Sequence, residues 1–354
     1  MIPLTSPSRR TVTIALVAVA LLCLFFVPRI QETFAPAKMT PDTLAKNTIF
    51  VSVASYRDAE CSRTIRDMFA RAKYPQRVFV GVCEQNSDDI QETCVRGAGI
   101  PSRQIRRVRM EHTQAKGPTY ARHICSKLYR GETIFMQIDS HSTFCQDWDE
   151  IIFQQLSMCP DPSMSVLSTY PHDDSTYGIA EQSVPVICSG KWNSDGIPTF
   201  EAVVKPPSFF KGGRPVPTAF ASAGLLVFPG HVLRMVPFDD GLDHLFQGEE
   251  ALFTCRLWTN GLDIYCPSKN IVLHHYLRKE APKYWTDRPR EYEDGKQRSV
   301  TRVKRLLGLQ TPVIPPGSDP YGLGTRRTMD QYWAFAGLDP VGKTTVSKVK
   351  FCGI

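Results

Sequence analysis

The sequence predicts an α/β protein with a mostly parallel, mixed sheet that carries helices on both faces. Three observations indicate this class: apolar β-branched runs recur along the chain, segments with helical spacing separate them, and polar clusters follow them. Strand and helix alternate in parallel sheets because each crossover between parallel strands has room for a helix. Hydrophobic residues make up 42% of the 354 residues and charged residues 22%, which excludes a disordered chain.

Each element is assigned from its hydrophobic pattern. Continuous apolar runs predict buried strands at 48–54, 77–83, 133–138 and 164–169. Helical spacing predicts helices at 60–73, 118–130 and 147–158. Later, more irregular segments predict strands at 184–188, 219–228 and 262–266 and a helix around 247–260. Residues 286–304 are charge-rich and predict a solvated helix or loop, whereas 310–354 has too many Gly and Pro residues for an assignment.

The N-terminal region predicts a membrane anchor. Residues 11–27 contain no charge, Gly or Pro, and as a helix they would span roughly 25 Å, enough for the thin bilayers of the early secretory pathway. A cleaved signal peptide is the alternative, with Ala35-Pro36-Ala37 as its cleavage site. The anchor is favoured because the apolar run is longer than a usual signal core. We expect the short segment 1–10 to stay in the cytoplasm and 28–46 to form a stem.

Charge and cysteines narrow the possible partners and compartments. The net charge is +7, but no dense Lys/Arg tract is present, so we expect no nucleic-acid partner. Of eleven cysteines, only Cys23 lies in the apolar segment, and the other ten form no C-x-x-C pair, so a structural zinc site is not expected. In an oxidising lumen several would form disulfides, whose pairing the sequence leaves open; in the cytosol most would be buried thiols.

Polar residues follow three predicted strands. Ser55 and Arg57 end the first, Glu84 ends the second, and Asp139 and His141 follow the third. In open α/β sheets, ligands bind beyond the carboxyl ends of the strands. Asp139 and His141 are two residues apart, so on extended chain their side chains face the same side. A carboxylate and an imidazole placed together suit Mn²⁺, an ion that can neutralise the charge of a diphosphate. The alternative is that Asp139 caps a helix and His141 is an ordinary loop residue.

One further motif is not predicted to function. Residues 337–344 match G-x-x-x-x-G-K-T, but no clear strand precedes them and only ten residues follow. A phosphate-binding loop needs a strand before it and a long helix after it. We therefore expect no nucleotide triphosphate to bind there.

Several segments together resemble a known enzyme family. They are 49–58 (IFVSVASYRD), Gly117-Pro118 with Ala121-Arg122, Asp139-Ser140-His141, 246–250 (FQGEE) and 321–324 (YGLG). This set resembles the glycosyltransferases that add N-acetylglucosamine to hydroxyl side chains of protists' polypeptides, a family similar to the polypeptide N-acetylgalactosaminyltransferases. The resemblance spans residues 47–340, leaving 341–354 as a tail. It implies a GT-A fold, a UDP-sugar donor, Mn²⁺ or another divalent metal, and retention of anomeric configuration.

The resemblance also implies roles for single residues. Asp139 and His141 would bind the metal, and His274 or His275 would supply a third ligand, for which we take His275. The residues that would contact the donor are Ser55, Arg57, Glu84, Ser140 and, through its phosphates, Arg122. The residues that would act at the reacting centre are Asp139, Glu249 and Glu250, with Ala223-Gly224 as a close-packed floor for the sugar.

Each of these roles has a plainer alternative. One histidine of the pair would simply be buried, and Arg122 would form a surface ion pair of little energy. Glu249 and Glu250 would place favourable charge at a helix N-terminus. The Ala223-Gly224 turn would be a β-bulge.

We therefore expect a single-pass type II Golgi membrane enzyme with a lumenal catalytic domain. It would transfer GlcNAc from UDP-GlcNAc to Ser/Thr or hydroxyproline hydroxyls of a polypeptide. No enzymic nucleophile is evident in the sequence, so the family resemblance implies same-face attack, with the donor phosphate taking the acceptor proton. The rivals are a membrane-anchored carbohydrate-binding protein with an inactive transferase fold, and a cytosolic hydroxyproline modifier, which the apolar segment opposes.

Overall fold

Strands and helices alternate through most of the chain in a computed structural model that describes residues 46–95, 99–176, 182–346 and 351. The strands are β1 (Ile49–Tyr56), β2 (Val78–Asn86), β3 (Ile105–Glu111), β4 (Ile134–Asp139), β5 (Ser142–Phe144), β6 (Ser165–Ser168), β7 (His172–Asp173), β8 (Val184–Trp192), β9 (Pro198–Lys205), β10 (Val216–Thr218), β11 (Leu225–Pro229), β12 (Asp263–Cys266), β13 (Val272–His274), β14 (Leu338–Asp339) and β15 (Thr344–Thr345). The helices are α1 (Cys61–Arg71), α2 (Pro118–Ser126), α3 (Trp148–Ser157), α4 (Val232–Met235), α5 (Glu249–Thr259), α6 (Tyr284–Asp287), α7 (Pro289–Leu306) and α8 (Met329–Ala336).

An eight-stranded mixed sheet organises these elements, in the order β10-β12-β6-β11-β4-β1-β2-β3. β1 runs parallel to both of its neighbours, so that Ile49 pairs with Val78 on one side and Ile134 on the other. β11 is antiparallel to β4, and its first residue, Leu225, lies beside Ile138. The carboxyl ends of β1, β2 and β4 therefore meet the start of β11 at one edge. This arrangement confirms the predicted α/β class.

Helices cover both faces of this sheet because side chains alternate along each strand. On one face, Ile49 and Val51 of β1 pack with Ile65 of α1 and Trp148 of α3. On the other face, Phe50 packs with residues of α4 and α5. Because both faces are covered, the central strands are apolar along almost their whole length, which explains why they were recognisable in the sequence.

Two smaller assemblies flank the main sheet. The hairpin of β8 and β9 shares a second apolar core with α5, α7 and α8. A three-stranded sheet, in the order β5-β13-β7, places β13 antiparallel to β5 and parallel to β7. Because β5 follows β4 almost at once, this small sheet lies directly beside the carboxyl end of β4.

The predicted elements agree with the structure where the pattern was strong. The main departures are β3, an edge strand with three arginines, and β9, neither of which the sequence predicted, and β11, which begins at Leu225 rather than at residue 219. No described helix is long and apolar enough to cross a membrane. The predicted anchor at 11–27 lies outside the described residues, as do the cytoplasmic segment and nearly all of the stem.

The 337–344 motif has no phosphate-binding surroundings in the described part of the chain. Gly337 ends α8 in a left-handed conformation (φ 69°), and the following residues form the β14–β15 hairpin. The Lys343 ammonium lies 4.3 Å from the centre of the Trp192 ring. Its cation–π contact suits a structural role.

A disulfide joins Cys61, at the start of α1, to Cys94, after the end of β2. It fixes the two segments that follow β1 and β2 to each other. The sequence had left the pairing open, and this bond is one that an oxidising compartment preserves.

Candidate functional site

Three side chains converge beyond the carboxyl end of β4. Asp139 ends β4, His141 lies two residues later, and His274 ends β13 of the small sheet. Each offers a ligand atom, and these atoms all lie within 4.8 Å of one another. Asp139 Oδ2 is 3.1 Å from His274 Nε2, and the rings of His141 and His274 are 4.6 Å apart. One carboxylate oxygen and two imidazole nitrogens form a donor set that suits a divalent transition metal.

The charge state of Asp139 fits that use. Burial opposes its ionisation, but the hydrogen bond with His274 and the charge of Arg122 outweigh burial and hold its pKa well below the usual range. Among the described residues, the buried His274 Nδ1 has no hydrogen-bond partner. The residues present therefore fit a metal ion: an ionised carboxylate lies against two imidazoles.

His275, the ligand chosen from the sequence, points elsewhere. Its Nδ1 lies 2.7 Å from Glu60 Oε1, and its backbone N–H donates to the carbonyl of His141. Adjacent residues on extended chain face opposite sides, so only one of the two histidines can face Asp139. The structure places His274 there.

Asp58, for which the sequence predicted no role, supports His141. Its Oδ2 lies 2.8 Å from His141 Nδ1, accepts a hydrogen bond from Ser140 Oγ at 2.6 Å, and is 3.2 Å from Arg278 Nη1. Burial opposes its ionisation, but the hydrogen bond and charge of His141, with Arg278 and Ser140, lower its pKa to about 2. A carboxylate on one ring nitrogen directs the other nitrogen of a histidine toward a metal.

Ser140 and Arg122, both expected to contact the donor, have carboxylate partners within the protein. The Ser140 hydroxyl is bound to Asp58. Arg122, in the middle of α2, donates from Nη2 to Asp139 Oδ1 at 2.9 Å and from Nη1 to Glu249 Oε2. Its buried Nε has no hydrogen-bond partner among the described residues. Arg122 therefore lies in the site, where it holds two carboxylates.

The two adjacent glutamates at the start of α5 have different surroundings. Burial raises the pKa of Glu249, although the charge of Arg122 opposes this shift. Glu250 accepts a hydrogen bond from the Tyr170 hydroxyl at 2.5 Å and one from the Ala223 backbone N–H at 2.8 Å. Burial, the largest effect, raises the pKa of Glu250 to about 7. Both carboxylate oxygens of Glu250 are thus engaged within the protein.

A second group of polar side chains lies at the ends of β1 and β2. Ser55 and Glu84 are neighbours in the sheet and fully buried. Glu84 Oε1 accepts from the Cys94 N–H, and Glu84 Oε2 lies 3.7 Å from Arg107 Nη1. Neither Glu84 Oε2 nor Ser55 Oγ has a hydrogen-bond partner among the described residues. Arg57 is held by Glu92 at 3.0 Å and Asp287 at 2.8 Å. Buried polar atoms without hydrogen-bond partners are uncommon, and an ordered water, an ion or a ligand can satisfy them.

The contacts that the sequence missed join residues far apart in the chain. Asp58 pairs with His141 across 83 positions, and Arg122 with Glu249 across 127. One feature of the sequence could have indicated Tyr170 as a site residue: it comes just after a predicted strand. No spacing rule connects such pairs in a single sequence.

Two solved structures are similar to this chain. A solved structure of GalNAc-T7 with UDP, GalNAc and Mn²⁺ is similar, with a TM-score of 0.54, 13% identity, and coverage of 81% of this chain and 56% of that chain. This chain thus spans little more than half of that transferase. A mannosyltransferase from Pyrobaculum calidifontis, solved with GDP-Man and Mn²⁺, gives a TM-score of 0.46 at 14% identity, covering 94% of this chain and 81% of that chain.

The sequence comparisons place the chain in a family. No curated protein matches it by sequence. The family described as "Glycosyltransferase (GlcNAc)" matches residues 48–101 and 91–342, well over half of the chain. The likeness to the GalNAc-T7 structure shows the GT-A fold. The chain therefore belongs to the GlcNAc glycosyltransferase family.

Proposed function

We propose that this glycosyltransferase moves N-acetylglucosamine from UDP-GlcNAc to Ser/Thr or hydroxyproline hydroxyls of a polypeptide, with Mn²⁺ and with retention of anomeric configuration. The observation that carries the proposal is the Asp139, His141 and His274 cluster, which lies beside the buried Ser55 hydroxyl and Glu84 Oε2, two atoms with no hydrogen-bond partner among the described residues. The family match supports the GlcNAc donor.

The two polar groups suit the two ends of a nucleotide sugar. Asp139, His141 and His274 would hold the metal, which would supply charge that stabilises the departing diphosphate. Ser55 and Glu84 can donate to and accept from a nucleoside. The hydrogen bond with His274 and the charge of Arg122 keep Asp139 ionised, so Arg122 would act on the diphosphate indirectly, through the metal ligand.

Retention requires attack on the same face or a covalent intermediate. Glu249 is ion-paired with Arg122, and Glu250 has a hydrogen bond to each oxygen. Neither carboxylate is free to serve as a nucleophile. This supports same-face attack: the bond from sugar C1 to the phosphate oxygen breaks, the bond to the acceptor oxygen forms, and the hydroxyl proton passes to the departing diphosphate.

Release of UDP tests the proposal. Purified protein is given UDP-GlcNAc, UDP-GalNAc, UDP-glucose or GDP-mannose with Mn²⁺, first alone and then with peptides bearing Thr, Ser or hydroxyproline. We expect UDP release from UDP-GlcNAc, faster with the right peptide, and none from Asp139→Asn. Sugar binding without release would favour a carbohydrate-binding protein instead. A different preferred donor would overturn the GlcNAc assignment.

We also propose a lumenal position behind an N-terminal anchor. The Cys61–Cys94 disulfide supports an oxidising compartment. Protease added to sealed microsomes should spare residues from 47 onward, and digestion of that part would place the enzyme in the cytosol.

A further inference from the structure

The turn before β11 lies against the metal cluster. Ala223 and Gly224 form this turn, and β11 begins at Leu225 beside the end of β4. A Cβ added to Gly224 would lie 3.8 Å from Asp139 Oδ2 and 3.3 Å from Pro171 Cδ. The backbone of the turn therefore borders the carboxylate that would hold the metal.

The strand order gives the two sides of Asp139 different neighbours. β4 lies between β1 and β11, so the buried polar side chains of Ser55 and Glu84 lie on one side of Asp139 and the turn lies on the other. A nucleotide sugar whose diphosphate lies at Asp139 has its nucleoside on the β1 and β2 side. The sugar must then extend toward Ala223 and Gly224.

Two side chains, the partly buried Glu250 and the buried Gln137, hold this turn from different elements. Glu250 of α5 accepts from the Ala223 N–H at 2.8 Å, and Gln137 of β4 donates to the Ala223 carbonyl at 2.8 Å. Glu250 also accepts from the Tyr170 hydroxyl, one residue before Pro171, which packs against Gly224. One carboxylate thus fixes both the turn and the segment that packs on it.

We propose that Glu250 is a positioning residue that fixes the Ala223-Gly224 turn and thereby determines how tightly the donor's sugar, but not its nucleotide, is bound. The inference rests on the proposed function, because it assumes a nucleotide-sugar donor at Asp139. It differs from a catalytic role in requiring two hydrogen bonds and no charge. A neutral amide can make both: its oxygen accepts from Ala223, and its NH₂ donates to the Tyr170 oxygen.

The test compares Glu250→Ala and Glu250→Gln with the parent in calorimetry of UDP and of UDP-GlcNAc, each with Mn²⁺. We expect UDP affinity within about twofold of the parent in both variants. For UDP-GlcNAc, Glu250→Ala should lose about tenfold or more in affinity, because the partly buried Tyr170 hydroxyl and Ala223 N–H are left without their acceptor. Glu250→Gln should stay within about threefold of the parent, both in that affinity and in UDP release.

Gln137→Leu provides an independent arm, since it releases the same turn from the β4 side. It should also weaken UDP-GlcNAc selectively, and thermal unfolding verifies that each variant is folded. Equal losses for UDP and UDP-GlcNAc would overturn the positioning role. So would a Glu250→Gln variant as impaired as Glu250→Ala, because that result demands a charge. If the parent binds neither ligand with Mn²⁺, the proposed function fails, which is a distinct outcome.

Discussion

Removing Arg122 should destabilise the protein through the charges it leaves behind. The Arg122 side chain is 10% exposed and that of Glu249 7%, so water cannot take over the lost contact. Breaking a buried ion pair by removing one partner costs about 3–5 kcal/mol. Asp139, at 25% exposure, is partly solvated, so the larger share of the loss comes from Glu249. We expect Arg122→Met to lower the free energy of unfolding by about 3–5 kcal/mol without metal.

A double variant separates lost charge balance from lost packing. Arg122→Met with Glu249→Gln removes the stranded charge while keeping the side-chain volumes similar, so at least about 2 kcal/mol should return. Urea unfolding in the presence of EDTA, followed by tryptophan fluorescence, measures both variants. If the double variant is as unstable as the single one, an uncompensated Glu249 charge is not the cause and the reasoning is refuted.

Three further predictions address the metal, pH and the disulfide. His274→Ala should abolish Mn²⁺ binding in calorimetry. The matched control, His275→Ala, loses only a partly exposed ion pair, so its Mn²⁺ affinity should stay within about fivefold of the parent's. Equal losses of affinity in the two variants would contradict the ligand assignment. Burial raises the pKa of Glu250 to about 7, so the folded state holds a proton that the unfolded state releases, and stability should fall as pH rises from about 4.5 to 7. Glu250→Gln should remove about 3 kcal/mol of that fall. A pH profile of urea midpoints that is the same in the variant and the parent would contradict this assignment. Cys61→Ser removes a disulfide that closes a loop of 33 positions and should lower the free energy of unfolding by about 3–4 kcal/mol. A reductant that leaves the parent's urea midpoint unchanged would contradict this prediction.

The sequence predicted the parts of the fold that follow a strong local pattern. β1, β2 and β4 are buried on both faces, so their residues form continuous apolar runs. β3 was not predicted because it is an edge strand, in which Arg107 and Arg109 are exposed and no apolar run forms. Edge strands often carry charge, which hides them from a hydrophobic pattern and protects them from pairing with other chains.

The site was predictable only as far as strand ends could be recognised. Asp139 and His141 follow an obvious strand and do lie in the cluster. The choice between His274 and His275 depended on the orientation of a three-residue strand. A register shift of one residue in this strand would reverse which of the two histidines faces Asp139. The partners of Arg122 and Asp58 arise from tertiary packing, which no local pattern encodes.

The cluster draws its ligand atoms from two separate sheets. Asp139 belongs to the large sheet and His274 to the small one, 135 positions later in the chain. A bound ion would therefore link the sheets, and amide hydrogen exchange in the small sheet would slow when it binds. A chain truncated before β13 would lack the third ligand altogether. A chain that retains manganese would therefore have been synthesised and folded at least through β13, and this can be measured without any sugar transfer.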